Sequence, residues 1–398
     1  MRNELKVIGL MFFVLLLTAC SKNEDLPEET KPVINVYVYS PDHSTITRGD
    51  AGNVDPINNT LNESIITSLQ IWVFVHGTET LVSYYSPETV RKLNDEKSVT
   101  YQLEMLGDFA KAKPKPNVDV YVVANAASCG FSGESALKRE TTREQLEGAL
   151  IGTEYFGLSP LTTTVPDAGL PMSGVLRDVA VTGSAPVFKI SSVKLTRAVS
   201  KLRFIFSKDK VETAVKITGI KLGVELGENN VETKTSQIPT EEYLFLKADN
   251  SLYHIGNSYV GDDDNTYQGT ELLPINSTLN TTGINSNEDP LKYTYQPGQN
   301  AQDYEDLIAT GLSDNKLSGV GPYYLRETDK KLCGVISYQK GDAAEQKAKF
   351  EMKEAGDFSR NHTWIVYAYY GVDGMQVVTI YSQNWIEIVS SEHNWYNW

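Results

Sequence analysis

Residues 33–39 read VINVYVY, a run that places β-branched and aromatic side chains on both faces of an extended chain. Such residues favour strands over helices. Runs of the same kind recur at Leu69–Val75 and Val118–Ala126. Many short strands separated by Gly and Pro turns, with hardly a helix between them, predict an all-β chain built of β-sandwiches.

Further along the chain the same criteria predict more strands and few other elements. Thr142–Leu150 is the best helix candidate, capped by Thr141 or Thr142. Leu170–Gly174 reads as a turn, and residues 250–320, rich in Asn, Asp, Gly, Ser and Thr, read as long surface loops. Further strands are predicted at Val187–Ile190, at Val193–Phe206 with the alternation of a half-buried strand, and at Val215–Leu222, Tyr243–Leu246, Cys333–Tyr338, Thr363–Tyr370, Gln376–Tyr381 and Trp385–Val389.

The length of the chain indicates its number of domains, and its charge excludes two classes of partner. The 398 residues predict two domains at ~150 residues each, with a boundary near residue 190. The formal net charge of −15 produces a surface that repels nucleic acid and anionic lipid, so neither is expected as a partner.

The N-terminus has the pattern of a lipoprotein signal. Arg2 and Lys6 precede the apolar run Val7–Ala19, which is shorter than the ~20 residues that a membrane-spanning helix needs. Small residues then lead into Cys20, the position that lipoprotein signal peptidase requires. Residues 1–19 are therefore predicted to be a removable signal, with Cys20 carrying lipid and residues 21–32 forming a polar tether.

Catalytic and metal-binding patterns are sparse. The five histidines form no zinc motif, and there is no nucleophile elbow or phosphate loop, so no enzyme, metal or cofactor is predicted. The Gly261–Asn265 run could hold calcium, but a solvated loop fits it better because EF-hand spacing is missing. Cys129 and Cys333 can form one disulfide or remain two buried thiols. The Arg48–Asp50 triplet RGD is read as a chance match.

Four features of the chain together resemble the fimbrillins of Bacteroidales, the subunits of type V pili. They are the lipobox at Cys20, the strand Val33–Tyr39 followed by Thr47-Arg48, a central Arg-x-x-Ser-Lys segment behind the Leu170–Gly174 turn, and a late Arg-Asn-His lead into a strand. The central segment is Leu195–Leu202 and the late one is Arg360–Trp364, which Asn384-Trp385 and a terminal Trp398 follow.

The resemblance implies two tandem transthyretin-like Greek-key sandwiches, at residues 49–190 and 191–398, behind a propeptide of residues 20–48. It implies a precursor held at the outer membrane by its lipid. An arginine-specific protease would then cut between Arg48 and Gly49 and free the first strand. The opened edge would accept the C-terminal strand of another fimbrial subunit by strand addition. The donor residues expected from the resemblance are Trp385, Ile386, Ile388, Val389, Trp395, Tyr396 and Trp398.

The resulting expectation is a structural and adhesive subunit of a cell-surface fimbria, with a host or bacterial surface ligand. An anchor or tip subunit is the near alternative, since an anchor would keep its lipid. A monomeric glycan-binding lipoprotein is the alternative from another class, for which Tyr253, Tyr259 and Tyr267 would supply exposed aromatic platforms. Arg360-Asn361-His362 is interpreted as structural, because Asn and His before a strand form turns and cap backbone groups.

Overall fold

The structure of the chain is a computed structural model that describes thirteen segments. They are residues 31–39, 63–90, 98–152, 154–157, 162–209, 214–225, 241–245, 254–255, 270–273, 290–296, 299–327, 331–351 and 359–384. Most of these residues lie in β-strands that pack as sandwiches, so the predicted all-β fold class is confirmed.

The described residues of the first part of the chain form a series of mostly short strands. In order they are β1 (Val33–Tyr39), β2 (Leu69–Val75), β3 (Leu81–Tyr85), β4 (Ser98–Glu104), β5 (Val118–Ala124), β6 (Leu150–Ile151), β7 (Met172–Val179), β8 (Thr182–Ser184), β9 (Val187–Lys189), β10 (Val193–Lys194) and β11 (Thr196–Arg197). Helix α1 (Arg143–Glu147) precedes β6.

The later part of the chain contains several longer strands. They are β12 (Ser200–Lys208), β13 (Val215–Glu225), β14 (Glu241–Tyr243), β15 (His254–Ile255), β16 (Thr270–Leu273), β17 (Ser318–Leu325), β18 (Lys331–Lys340), β19 (Gln346–Glu351), β20 (His362–Gly371) and β21 (Gly374–Asn384). Helix α2 (Ala301–Ser313) lies before β17.

The first sandwich consists of two sheets around an aliphatic core. Sheet A contains β4, β1, β9, β10 and β8, and sheet B has the order β11-β7-β5-β2-β3. Inward side chains of both sheets meet in one cluster that includes Val36, Ile71 and Val120. Burial of this apolar surface is the main stabilising term of the unit.

The second sandwich pairs sheet C, of order β17-β12-β20-β21, with sheet D, of order β16-β13-β18-β19. Its core is more aromatic and includes Phe204, Tyr323, Phe350 and Trp364. A small sheet of β6, β14 and β15 joins the two parts of the chain, because β6 comes from the first part and β14 and β15 from the second.

The prediction of one continuous strand from Val193 to Phe206 is wrong. It is divided among three sheets, since β10 pairs in sheet A, β11 in sheet B and β12 in sheet C. The chain therefore passes from the first sandwich to the second between Arg197 and Ser200. The boundary predicted near residue 190 stays a prediction, because strand pairing alone does not define a domain.

Two further predictions about this part of the chain are wrong. Strand β12 is buried along its whole length, whereas its alternation predicted a half-buried strand. Helix α2 explains the difference: Tyr304 and Ile308, one turn apart, pack with Ile205 on the face of sheet C away from its main core. The same helix contradicts the prediction of surface loops throughout residues 250–320.

Local turn and cap chemistry was predicted with mixed success. Helix α1 is confirmed in a shorter form, and Thr142 caps it by accepting a hydrogen bond from the Gln145 backbone N–H at 3.1 Å. The turn predicted at Leu170–Gly174 is wrong, because Met172 begins β7. The turn closes earlier, where the Gly169 N–H donates to the Pro166 carbonyl at 2.7 Å.

Candidate functional site

Strand β1 lies inside sheet A rather than at its edge. It pairs with β4 in the antiparallel sense along all seven residues, from Val33 opposite Glu104 to Tyr39 opposite Ser98. On its other side it runs parallel to β9 over Val33–Asn35 and to β10 over Val38–Tyr39. The first described strand of the chain thus completes a sheet whose other members all come from later in the sequence.

Alternate side chains of β1 enter the core of the first sandwich. Ile34, Val36 and Val38 are each 0% exposed and pack with the core residues of sheets A and B. The opposite face carries Asn35, Tyr37 and Tyr39, of which Tyr39 is 37% exposed. This two-residue period is that of a strand buried chiefly on one side.

Backbone hydrogen bonds fix β1 to both neighbours. The Val33 N–H donates to the Pro186 carbonyl at 2.8 Å, and the Tyr39 carbonyl accepts from the Leu195 N–H at 3.0 Å. Without β1, two facing strand edges with unpaired polar groups and an apolar trough would remain. We call this space, between β4 on one side and β9 and β10 on the other, the β1 groove. Such an open edge is a template for another strand.

Of the predicted functional features, the structure describes the first strand, and the other site residues lie outside the described residues. The strand Val33–Tyr39, predicted to be removable, is confirmed as a strand. The lipid site Cys20, the cleavage residues Arg48 and Gly49, and the donor residues lie outside the described residues, as do the Gly261–Asn265 run and the tyrosines considered for glycan binding. The donor residues are Trp385, Ile386, Ile388, Val389, Trp395, Tyr396 and Trp398.

The described part of the chain ends directly before the predicted donor segment. Strand β21 is at the edge of sheet C and finishes at Asn384, opposite His362 of β20. Just before β20, the Asn361 N–H donates to the Val199 carbonyl at 2.8 Å, where the chain crosses between the sandwiches. Residue 385 therefore follows a strand end that lies beside this crossing.

A buried polar cluster at the crossing contains the central motif of the resemblance. Arg197 is fully buried and donates through Nε to the Glu63 carbonyl at 3.2 Å. Lys201 pairs with the Glu63 carboxylate at 2.9 Å, and the Tyr324 hydroxyl donates to the other oxygen of that group at 2.7 Å. The central motif thus fixes the segment that leads into β2.

The late motif is held by a second set of carboxylates. The Arg360 guanidinium contacts Glu327 at 2.8 Å and Glu242 at 3.0 Å, and both carboxylates are 0% exposed. Burial raises the pKa of Glu242 well above its usual range, although Arg360 opposes that shift and the Glu327 charge adds to it. These contacts agree with the structural interpretation of Arg360.

Sequence reasoning did not identify the carboxylates of these clusters. Glu63, Glu242 and Glu327 are single acidic residues in an acidic chain, and no spacing distinguishes them. Cys129 is a buried free thiol, and burial raises its pKa. Within the described residues no group of His, Cys, Asp and Glu side chains is arranged to hold a metal ion, and no helix there is long and apolar enough to cross a membrane.

Comparison with known families finds a match to part of the chain. The model of the major fimbrial subunit protein (FimA) matches residues 34–225, a little under half of the 398 residues. Over this segment the chain is similar to that family. The match begins within β1 and ends with β13, so it includes the β1 groove and the central motif. The match agrees with the resemblance to fimbrial subunits that the sequence motifs indicate.

Solved structures give more distant likenesses. A candidate cell adhesion protein from Parabacteroides distasonis covers 91% of this chain and 99% of its own, at 11% identity and a TM-score of 0.45. A fimbrial assembly protein from the same species covers 87% of this chain and 93% of its own, at 11% identity and a TM-score of 0.43. The C-terminally truncated tip fimbrial protein Mfa3 from Porphyromonas gingivalis covers 89% of this chain and 100% of its own, at 12% identity and a TM-score of 0.41. Comparison with curated proteins finds no match.

Proposed function

We propose that this chain is a polymerising structural and adhesive subunit of a fimbria, assembled by donor-strand exchange after proteolysis. The observation that carries the proposal is the position of β1, which is central in sheet A and contributes three fully buried side chains. A pre-segment strand placed there can be replaced by a strand of the same shape from another subunit.

The processing steps follow from the N-terminal sequence. The chain is exported behind residues 1–19, lipidated at Cys20 and held at the outer membrane. An arginine-specific protease cuts between Arg48 and Gly49, which separates residues 20–48, and β1 with them, from the remainder. Strands β4, β8, β9 and β10 all follow residue 49, so both sides of the β1 groove stay in the mature subunit.

Loss of β1 creates a strong requirement for a replacement. The three buried side chains Ile34, Val36 and Val38 contribute about 1.5–3 kcal/mol each through removal of apolar surface from water. Their departure also leaves backbone groups of β4 and β9 without partners, and an unpaired buried polar group is costly. A neighbouring strand that fills the groove restores both contributions.

The segment that we propose as donor has sufficient reach. Residues 385–398 span about 46 Å when extended, at ~3.3 Å per residue, whereas the seven residues of β1 need about 23 Å. The surplus allows the donor to leave its own subunit before it enters the groove of the next. Its Ile386 and Ile388 lie two residues apart and can fill two of the vacated core positions from one face of a strand, while Trp385 and Val389 would lie on the opposite face.

The proposal is tested with the residue 21–398 precursor and an arginine-specific protease, followed by N-terminal sequencing and gel filtration. We expect a new terminus at Gly49 and detergent-resistant oligomers. The R48K variant keeps the charge but removes the cleavage site, so it should stay an uncut monomer. A variant lacking residues 385–398 should be cut normally and fail to polymerise.

The opposite results would select an alternative. A precursor that is not cut at Arg48 would indicate an anchor subunit that keeps its lipid. A precursor that is cut and stays monomeric would favour a glycan-binding surface lipoprotein, which glycan-array binding of the same sample would then test. A cut subunit that accepts a synthetic 385–398 peptide but does not polymerise by itself would indicate a terminal subunit of the fibre.

A further inference from the structure

Asn35 is an anomaly in β1. It is the one residue of Val33–Tyr39 that is neither β-branched nor aromatic, and it is the last of the three residues that pair with β9. Its side chain is only 7% exposed, although it points away from the core. The residue opposite it on β4, Gln102, is exposed, so the burial is particular to the position in β1.

The buried amide oxygen of Asn35 has no hydrogen-bond partner among the residues that the structure describes. Removing an amide from water without supplying a compensating bond is unfavourable, and the penalty is largest when the atom is completely covered. Asparagine is also one of the residues that are depleted in strands. Strand β1 therefore contains a residue that lowers its own affinity for the groove.

The hydrogen-bond ladder supports the same interpretation. On the side of β4 every residue of β1 has a partner. On the other side β9 pairs with residues 33–35 and β10 with residues 38 and 39, so Val36 and Tyr37 have no strand partner there. The bond that adjoins this interruption, from the Ile190 N–H to the Asn35 carbonyl, is long at 3.3 Å.

We propose that Asn35 makes β1 a weak occupant of its groove, so that an incoming donor strand displaces it readily. The inference rests on the proposed function and adds a reason that β1 leaves after cleavage. The mature subunit lacks residue 35, so this penalty leaves with residues 20–48. Asn35 acts as a specificity-determining residue for the outgoing strand, and its effect ends when that strand leaves.

The test compares the wild-type precursor with N35V and N35D by hydrogen exchange of the β1 amides, measured by mass spectrometry before any cleavage. Val fills the same position without an unpaired oxygen, and we expect β1 exchange to slow roughly tenfold. Asp has the same shape and buries a charge, so β1 exchange should accelerate. Q102V, on the exposed neighbouring position, is the matched control and should change β1 exchange by less than about twofold.

The second readout follows cleavage. Mature subunits from all three precursors are chemically identical, so any difference in peptide release or in oligomer growth comes from the strand that departs. We expect N35V to release residues 21–48 roughly tenfold more slowly and to reach the same final polymer. Equal β1 exchange in N35V and wild type would overturn the inference even if wild type polymerises. Slower β1 exchange in N35V would support the assignment of β1 as a weak strand even if the wild-type protein never polymerises. That second result would contradict the proposed function and not this inference.

Discussion

Arg197 and Asn361 are 164 positions apart in the sequence, and the Arg197 guanidinium donates to the Asn361 Oδ1 across 3.3 Å. Arg197 belongs to the central motif and Asn361 to the late motif, two of the four features by which the chain resembles fimbrillins. Their contact is at the crossing between the sandwiches, where Asn361 also takes the left-handed backbone conformation with φ of 56°. The motifs therefore hold the two sandwiches together at one place.

The second motif provides a stability prediction at Arg360. Replacing it in R360M leaves Glu242 and Glu327 buried without their cation, and breaking a buried pair in this way costs about 3–5 kcal/mol. Chemical denaturation of the precursor would measure the loss. R143M is the matched control, because Arg143 pairs with the half-exposed Glu79 and its loss should cost less than about 1 kcal/mol. Equal losses in the two variants would contradict the assignment.

A core substitution in β1 should affect the precursor alone. V36A removes two methyl groups from a fully buried position and should lower the free energy of unfolding of the precursor by about 2 kcal/mol. After cleavage at Arg48 the polymer should melt like wild type, since residue 36 has left. A thermal scan of both states checks this, and T100A, at the exposed position opposite Tyr37, should leave both unchanged.

Close approach of β7 to β10 makes Gly174 difficult to replace. A Cβ at this position would come within 2.6 Å of a Val193 methyl carbon and 2.7 Å of the Lys194 carbonyl oxygen. We expect G174A to lose about 1–3 kcal/mol in denaturant unfolding, because the sheets must separate. G148A, at the end of α1, meets only backbone oxygens at 3.4 Å or more and serves as the control. A neutral G174A would show that sheet B can move away.

The ion pair of Glu147 and Arg177 predicts a pH dependence. Burial by itself raises the pKa of Glu147, but hydrogen bonds from Arg177 and Tyr121 outweigh that effect and lower it below its ordinary value. A lowered pKa in the folded state adds stability above the unfolded value of ~4.3, and this contribution disappears as the pH falls through the folded pKa. Wild type should exceed E147Q in melting temperature at pH 7.

The comparison of the two proteins across pH provides the check. The difference in melting temperature between wild type and E147Q should narrow as the pH falls below about 4.3. E134Q, which changes an exposed glutamate in a short turn, should differ from wild type by the same small amount at every pH. A difference in melting temperature between wild type and E147Q that stays constant down to pH 3 would mean that the Glu147 carboxylate is not stabilised by its partners.

Several features of the fold could be predicted from local sequence. The β-branched and aromatic runs at Val33–Tyr39 and Leu69–Val75 identify strands because their side chains suit a pleated, buried surface. The capping box of Thr142 and Gln145 identifies the start of α1 because its two hydrogen bonds are local. Helix α2 escaped prediction because its apolar face is short and lies in a polar, Gly- and Asn-rich region.

The sequence by itself determined the all-β class, the strand that precedes Arg48 and the family motifs, because each depends on neighbouring residues or short periods. Only the tertiary structure decided that β1 is a central strand, that β12 is buried on both faces, and that Glu63 joins Lys201 and Tyr324. These features depend on contacts between residues far apart in the chain. A strand carries no local mark of its neighbours, since pairing is set by the packing of the whole sheet.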